Sequence, residues 1–121
     1  MSLKDTFRQL AKCVLIRYCE WNGVKIRIDY KPSWFLVLRR IYGYDLSHLQ
    51  IRTIDPDGEP LPITKTGYTT MIEYRTEIDA AGGPEAYVLE QIAIRERSPE
   101  YKAEQEAARQ GDLFAFMKEE K

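Results

Sequence analysis

His48 is the one histidine in this chain of 121 residues, and it limits what acid–base or nucleophilic chemistry the protein can hold. A Ser-His-Asp or Cys-His arrangement would have to pass through it. Asp45 precedes it by one local turn, a spacing that fits a catalytic pair and an ordinary bend equally well. Cys13 and Cys19 fit neither a zinc knuckle nor a CxxC redox pair, and strand-forming residues surround both, so buried free thiols are expected. Paired histidines and mixed Cys/His clusters are absent, which leaves a structural or catalytic zinc without ligands. Asp55, Asp57 and Glu59 form an acidic cluster without the glycine and terminal glutamate of a calcium loop. Gly82-Gly83-Pro84 lacks the lysine and Ser/Thr of a P-loop. These residues predict a non-enzymatic protein with no catalytic residues, no metal and no cofactor. An enzyme built on His48 and neighbouring carboxylates is the third reading of function.

The cations are more suggestive. Residues 1–52 hold ten Lys/Arg against four Asp/Glu, and residues 53–121 hold eight against fifteen, within an overall charge of −1. Such asymmetry fits a basic face that meets something acidic, or a basic half resting on an acidic one. Lys25, Arg27 and Arg52, with Gln50 and with Arg17 beside them, fall on the polar faces of predicted strands. Arg39 and Arg40 fall on a short predicted helix near Tyr42 and Tyr44. Cations interleaved with aromatics suit phosphate neutralisation and base stacking, although a solvated sheet face has the same pattern.

The elements that position these groups follow from periodicity and turn chemistry. Ser2 with Asp5 caps a first helix whose apolar face is Leu3, Phe7, Leu10 and Ala11. Val14–Trp21 and Val24–Tyr30 flank Asn22-Gly23, a type I′ turn signal, and make a β-hairpin. Val24, Ile26, Ile28 and Tyr30 alternate with Lys25, Arg27 and Asp29. Lys31-Pro32 ends that strand, Ser33 caps a short helix carrying Trp34, Val37, Leu38 and Ile41, and Gly43 closes it. A third strand follows around Leu49, Ile51 and Thr53, then a turn at Asp55–Gly58 and an extended edge segment at Leu61–Thr64. Gly67 breaks the chain before a fourth strand, Tyr68–Tyr74. Pro84 starts a helix that turns Val88, Leu89 and Ile92 inward, and Ser98-Pro99 starts a nearly apolar-free one over Glu100–Arg109. The expectation is an α+β fold: a small antiparallel sheet of about four strands with helices on one face, occupying residues 1–97. Residues 98–121 form a C-terminal helical extension and tail.

Composition is that of a globular chain, with 44% apolar and 31% charged residues. Its apolar runs fall well short of the roughly 20 residues that cross a bilayer. Met1–Asp5 lacks the layout of a signal peptide, so a cytoplasmic location without membrane contact is expected.

The tail carries the sharpest motif. Gln110-Gly111-Asp112-Leu113-Phe114 resembles the bacterial sliding-clamp-binding motif, glutamine, any residue, Ser or Asp, leucine, phenylalanine. By that resemblance Leu113 and Phe114 fill an apolar pocket of the clamp, Gln110 hydrogen-bonds at its rim and Asp112 takes the acidic third position. Gly111 would let the backbone leave helical geometry there. Leu113, Phe116 and Met117 are also spaced for one helix face, which suits a latch folded back on the domain or a homodimer contact. Pro60–Tyr68 resembles a phrase of small bacterial proteins without an assigned activity, some carried on mobile elements. The leading expectation is a DNA-metabolism accessory protein docked on the sliding clamp, with a basic nucleic-acid-binding face. The alternative is a non-enzymatic interaction or regulatory module of a mobile element with a self-docked tail.

Overall fold

The computed structural model describes residues 14–34 and 36–119, and the side chains of 36–38 and 112–119 fall outside that description. The expected first helix over Ser2–Ala11 lies outside the described residues.

Four antiparallel strands form an open meander: β1 (Leu15–Trp21), β2 (Val24–Lys31), β3 (Leu46–Asp55) and β4 (Tyr68–Tyr74), in the order β1-β2-β3-β4. The hairpin forms because Asn22 and Gly23 both take positive φ, 48° and 80°, as a type I′ turn requires. That two-residue loop pairs Trp21 with Val24 and fixes the register down to Leu15 against Tyr30. Helix α1 (Leu36–Tyr42) connects β2 to β3 and stops at Gly43, whose N–H donates to the Arg39 carbonyl at 3.0 Å. Its Arg39, Arg40, Ile41 and Tyr42 are exposed, so Ile41 does not join the core.

One face of the sheet is buried. Ile26 and Ile28 of β2, and Ser47, Leu49, Ile51 and Thr53 of β3, are fully enclosed there. Their cover is α2 (Arg75–Ala81), through Ile78, and α3 (Pro84–Glu96), through Tyr87, Val88 and Ile92. The α+β fold with a helix-backed antiparallel sheet is therefore as the residue pattern predicts. Helix α2 is an addition. Its seven residues carry a single buried apolar side chain, too little for a periodic signal. Gly82 and Gly83 end it, with Gly83 donating to the Ile78 carbonyl at 3.0 Å and Gly82 to Asp79 at 3.1 Å.

The Leu61–Thr64 segment is no edge strand. Leu61 and Thr64 exchange backbone hydrogen bonds at 2.7 and 3.0 Å, so the segment closes on itself as a tight turn and Leu61 plugs the core. Gly67 is needed for space: with φ at 77°, a Cβ there would meet Thr53 Oγ1 and the Gly58 carbonyl carbon at 2.7 Å. Helix α4 (Pro99–Glu119) starts at Ser98, whose Oγ accepts the Tyr101 N–H at 3.2 Å. Residues 102–111 are exposed along it, as a helix without an apolar stripe must be. Gly111 does not end the helix. One glycine costs about 1 kcal/mol against alanine, and the strong helix formers on either side outweigh that.

Candidate nucleic-acid interface

The second face of the sheet is bare of helices among the described residues. Strand alternation and the observed registers sort its side chains into rows. Tyr18, Arg27, Arg52 and Tyr68 lie side by side across all four strands. Ile16, Asp29, Gln50 and Thr70 form the next row, and Lys31, His48 and Ile72 the one after. Two arginines in the middle are thus flanked by two tyrosines, of which Tyr18 is 60% exposed and Tyr68 41%.

The two arginines differ in their surroundings. Arg27 Nε donates to Asp29 Oδ1 at 2.8 Å, which neutralises it and pushes its already high pKa further up. Arg52 has no carboxylate partner among the described residues. Its guanidinium sits 5.3 Å from the Tyr68 ring centroid, and Gln50 Nε2 donates to the Tyr68 hydroxyl at 3.2 Å.

At the far end of the face the rings are stacked. Trp34 lies on His48 with centroids 4.6 Å apart and planes 24° apart, and Lys31 Nζ stands 4.4 Å from the Trp34 ring. Burial and the Lys31 charge hold the His48 imidazole below its ordinary pKa, and its Nδ1 is buried without a hydrogen-bond partner. Tyr74, on the same face, meets Tyr44 edge-on at 6.1 Å, and Tyr44 stacks on Tyr42 at 6.1 Å. A band of rings therefore runs from α1 onto β4.

The predicted cations divide accordingly. Arg27 and Arg52 are brought together. Lys25 sits at the rim, opposite Glu20 and Asp55. Arg39 and Arg40 are exposed on α1. Arg39 reaches Ser33 Oγ at 3.5 Å. Arg17 is not beside them. It pairs with Ile28, so it lies on the helix-backed face, where its Nε stands 3.7 Å from Glu85 Oε1. The hairpin turn already implied this, since a two-residue loop puts Arg17 in phase with Ile28 rather than with Arg27. Tyr18, Lys31, Trp34, Tyr68 and Tyr74 complete the face, and the alternation within Tyr68–Tyr74 was the signal for the last two.

Elsewhere, Asp45 Oδ2 accepts from Arg75 Nη1 at 3.3 Å instead of orienting His48. Among the described residues no three His, Cys, Asp or Glu side chains converge on a metal-sized space. A cleft of about 590 Å³ opens between α4 and the Glu59–Lys65 turn, lined by Trp21, Leu61, Pro62 and Tyr101. Gln110 and Gly111 are exposed on α4, whose backbone stays helical through Phe114. No helix among the described residues is long and apolar enough to cross a membrane.

Fold and face together define a small α+β domain with a helix-backed sheet and a broad, aromatic and cationic surface on the other side. A sequence model of the KlcB third domain matches residues 17–111, and the chain belongs to this family. The match takes in nearly the whole sheet and α1 to α3, and it ends at Gly111, inside the tail motif. No curated protein and no solved structure matches the chain.

Proposed function

We propose that this domain is a non-enzymatic accessory module of DNA metabolism whose bare sheet face holds a single nucleic-acid strand. The observation that carries the reading is the row Tyr18–Arg27–Arg52–Tyr68, open along its length and in register across four strands. Rings lying on a sheet accept unstacked bases, and a guanidinium between them without a carboxylate partner, as at Arg52, meets phosphate. At about 4.8 Å per strand the sheet is roughly 14 Å wide, room for two to four splayed nucleotides and too flat to enter a duplex groove.

The test is fluorescence anisotropy with a short labelled oligothymidylate and a duplex of equal length. The single strand should bind more tightly, with affinity that falls as salt rises, and Tyr68→Ala should weaken it by about 1–3 kcal/mol, one stacked base. No binding at low salt, or a Tyr68→Ala protein that binds as the native one does, refutes the proposal. In that case Ile16, Ile54 and Ile72, exposed on the same face, favour a protein partner instead.

The second part of the proposal is docking on the bacterial sliding clamp through Gln110, Asp112, Leu113 and Phe114. It is supported by the motif itself and by the exposure of Gln110 and Gly111 at the outer part of a helix far along the chain from the sheet. Residues 110–114 would have to unwind from α4 to fill the clamp pocket, and Gly111 lowers the cost of that step. Purified clamp should capture the native protein and lose it on combined Leu113→Ala and Phe114→Ala substitution. Equal capture of both, or of neither, removes the clamp from the function.

A further inference from the structure

Strand β4 is one edge of the sheet, and its sequence carries neither the lysines nor the prolines that commonly keep such edges apart. Thr53 donates to the Gly67 carbonyl at 2.8 Å at one end, and Arg75 donates to the Asp45 carbonyl at 2.8 Å at the other. Antiparallel alternation between those points turns the backbone of Thr69, Met71 and Glu73 toward β3 and that of Tyr68, Thr70, Ile72 and Tyr74 outward. Two outward groups are already occupied. Tyr74 N–H donates to Glu73 Oε1 at 2.8 Å, and the Tyr68 carbonyl accepts from the Thr64 and Thr66 hydroxyls at 2.8 and 3.2 Å. Among the described residues, Tyr68 N–H and both groups of Thr70 and of Ile72 remain, while the Tyr74 carbonyl, at the N-cap of α2, faces the first turn of that helix.

We propose that a second copy of this chain fills this edge, β4 against β4, antiparallel about a two-fold axis at Met71. In that register Tyr68 faces the partner's Tyr74, Thr69 the partner's Glu73, Thr70 the partner's Ile72, and Met71 the partner's Met71. No like charges oppose one another. The occupied Tyr74 N–H and Tyr68 carbonyl are each other's partners in this register, and the free Thr70 and Ile72 groups of each copy meet the Ile72 and Thr70 groups of the other. The match is of the strand to itself, which is why a copy of the chain is favoured over an unrelated strand. Side-chain parity is kept, so the two bare faces become one. The row ending at Tyr68 continues into the partner's Tyr74, and each copy completes the ring surface of the other. The pairing stands or falls independently of the nucleic-acid reading.

Sedimentation velocity on the native protein at high micromolar concentration should give twice the 14.2 kDa chain mass. Thr70→Pro removes an outward N–H and no bond to β3, and Ile72→Lys sets a charge on the edge. Each should weaken self-association at least about tenfold with unchanged circular dichroism. A non-hydrogen-bonded antiparallel pair lies about 4.5 Å apart at Cα, within disulfide reach, so Met71→Cys should form a reducible dimer and Thr69→Cys should not. A chain that stays monomeric, a dimer indifferent to both edge variants, or cross-linking at position 69 rather than 71 overturns the proposal.

Discussion

Within the bare face, Asp29 competes with any phosphate for Arg27. Its Oδ1 takes the Arg27 Nε hydrogen at 2.8 Å, and no other cation lies beside it in the row, where its register neighbours are Ile16 and Gln50. Asp29→Asn keeps the shape of the side chain, removes the negative charge and leaves Arg27 to meet an anion. One more phosphate neutralised on a single strand should steepen the slope of log affinity against log salt by about 0.7. Across a fourfold salt range, from roughly 50 to 200 mM, the advantage of the variant should shrink about two- to threefold. Anisotropy titrations at several salt concentrations measure this directly. Adding Arg27→Ala to Asp29→Asn should return the slope to its native value. An Asp29→Asn protein whose affinity is unchanged, or whose gain does not depend on salt, would show that Arg27 does not meet phosphate even when freed from Asp29.

Four further outcomes are expected. Ile51→Ala, at the fully buried centre of β3, should lower unfolding free energy by about 2–5 kcal/mol in urea titrations, and Ile92→Ala should do the same from the helix layer. Gly67→Ala should destabilise by more than about 1 kcal/mol, because the new Cβ meets Gly58 backbone at 2.7 Å and a positive φ disfavours any side chain. A stable Gly67→Ala protein would mean that the turn has room to move. Alkaline stability should decline from about pH 9 upward. Burial, reinforced by Glu73, pushes the Tyr87 hydroxyl up to about 12, and burial with Glu85 pushes the Cys19 thiol up to about 11. The unfolded chain releases these protons first, near 10.0 and 9.0, so stability is lost as pH climbs through that window. Tyr87→Phe and Cys19→Ala should each flatten the decline of the urea midpoint, and a decline of native steepness in both variants would refute these assignments.

Much of the architecture is legible from local pattern. The Asn22-Gly23 turn, the alternation of Val24–Tyr30, the stops at Pro32 and Gly43 and the helix start at Pro84 each report a backbone preference that neighbours suffice to express. The hairpin even contained the answer that Arg17 faces the helices, because register follows from loop length. Helix α2 was not legible, since seven residues with one buried isoleucine hold no period. Nor was the reverse turn at Leu61–Thr64, which exists because Leu61 finds a place in the core and its backbone closes on Thr64.

The residues alone therefore determined that strands form where they do, which side of β2 is apolar, and that a helix without an apolar stripe runs out from Ser98. The tertiary structure decided which cations share a surface. Arg27 and Arg52 stand 25 residues apart in sequence and meet because β2 and β3 pair in one register. Tyr18 and Tyr68 join them because β1 and β4 pair in theirs. Periodicity states which side of its own strand a residue takes. Which side chains then lie next to one another depends on strand order and on the face the helices choose to cover, and those are set by burial summed over the whole chain.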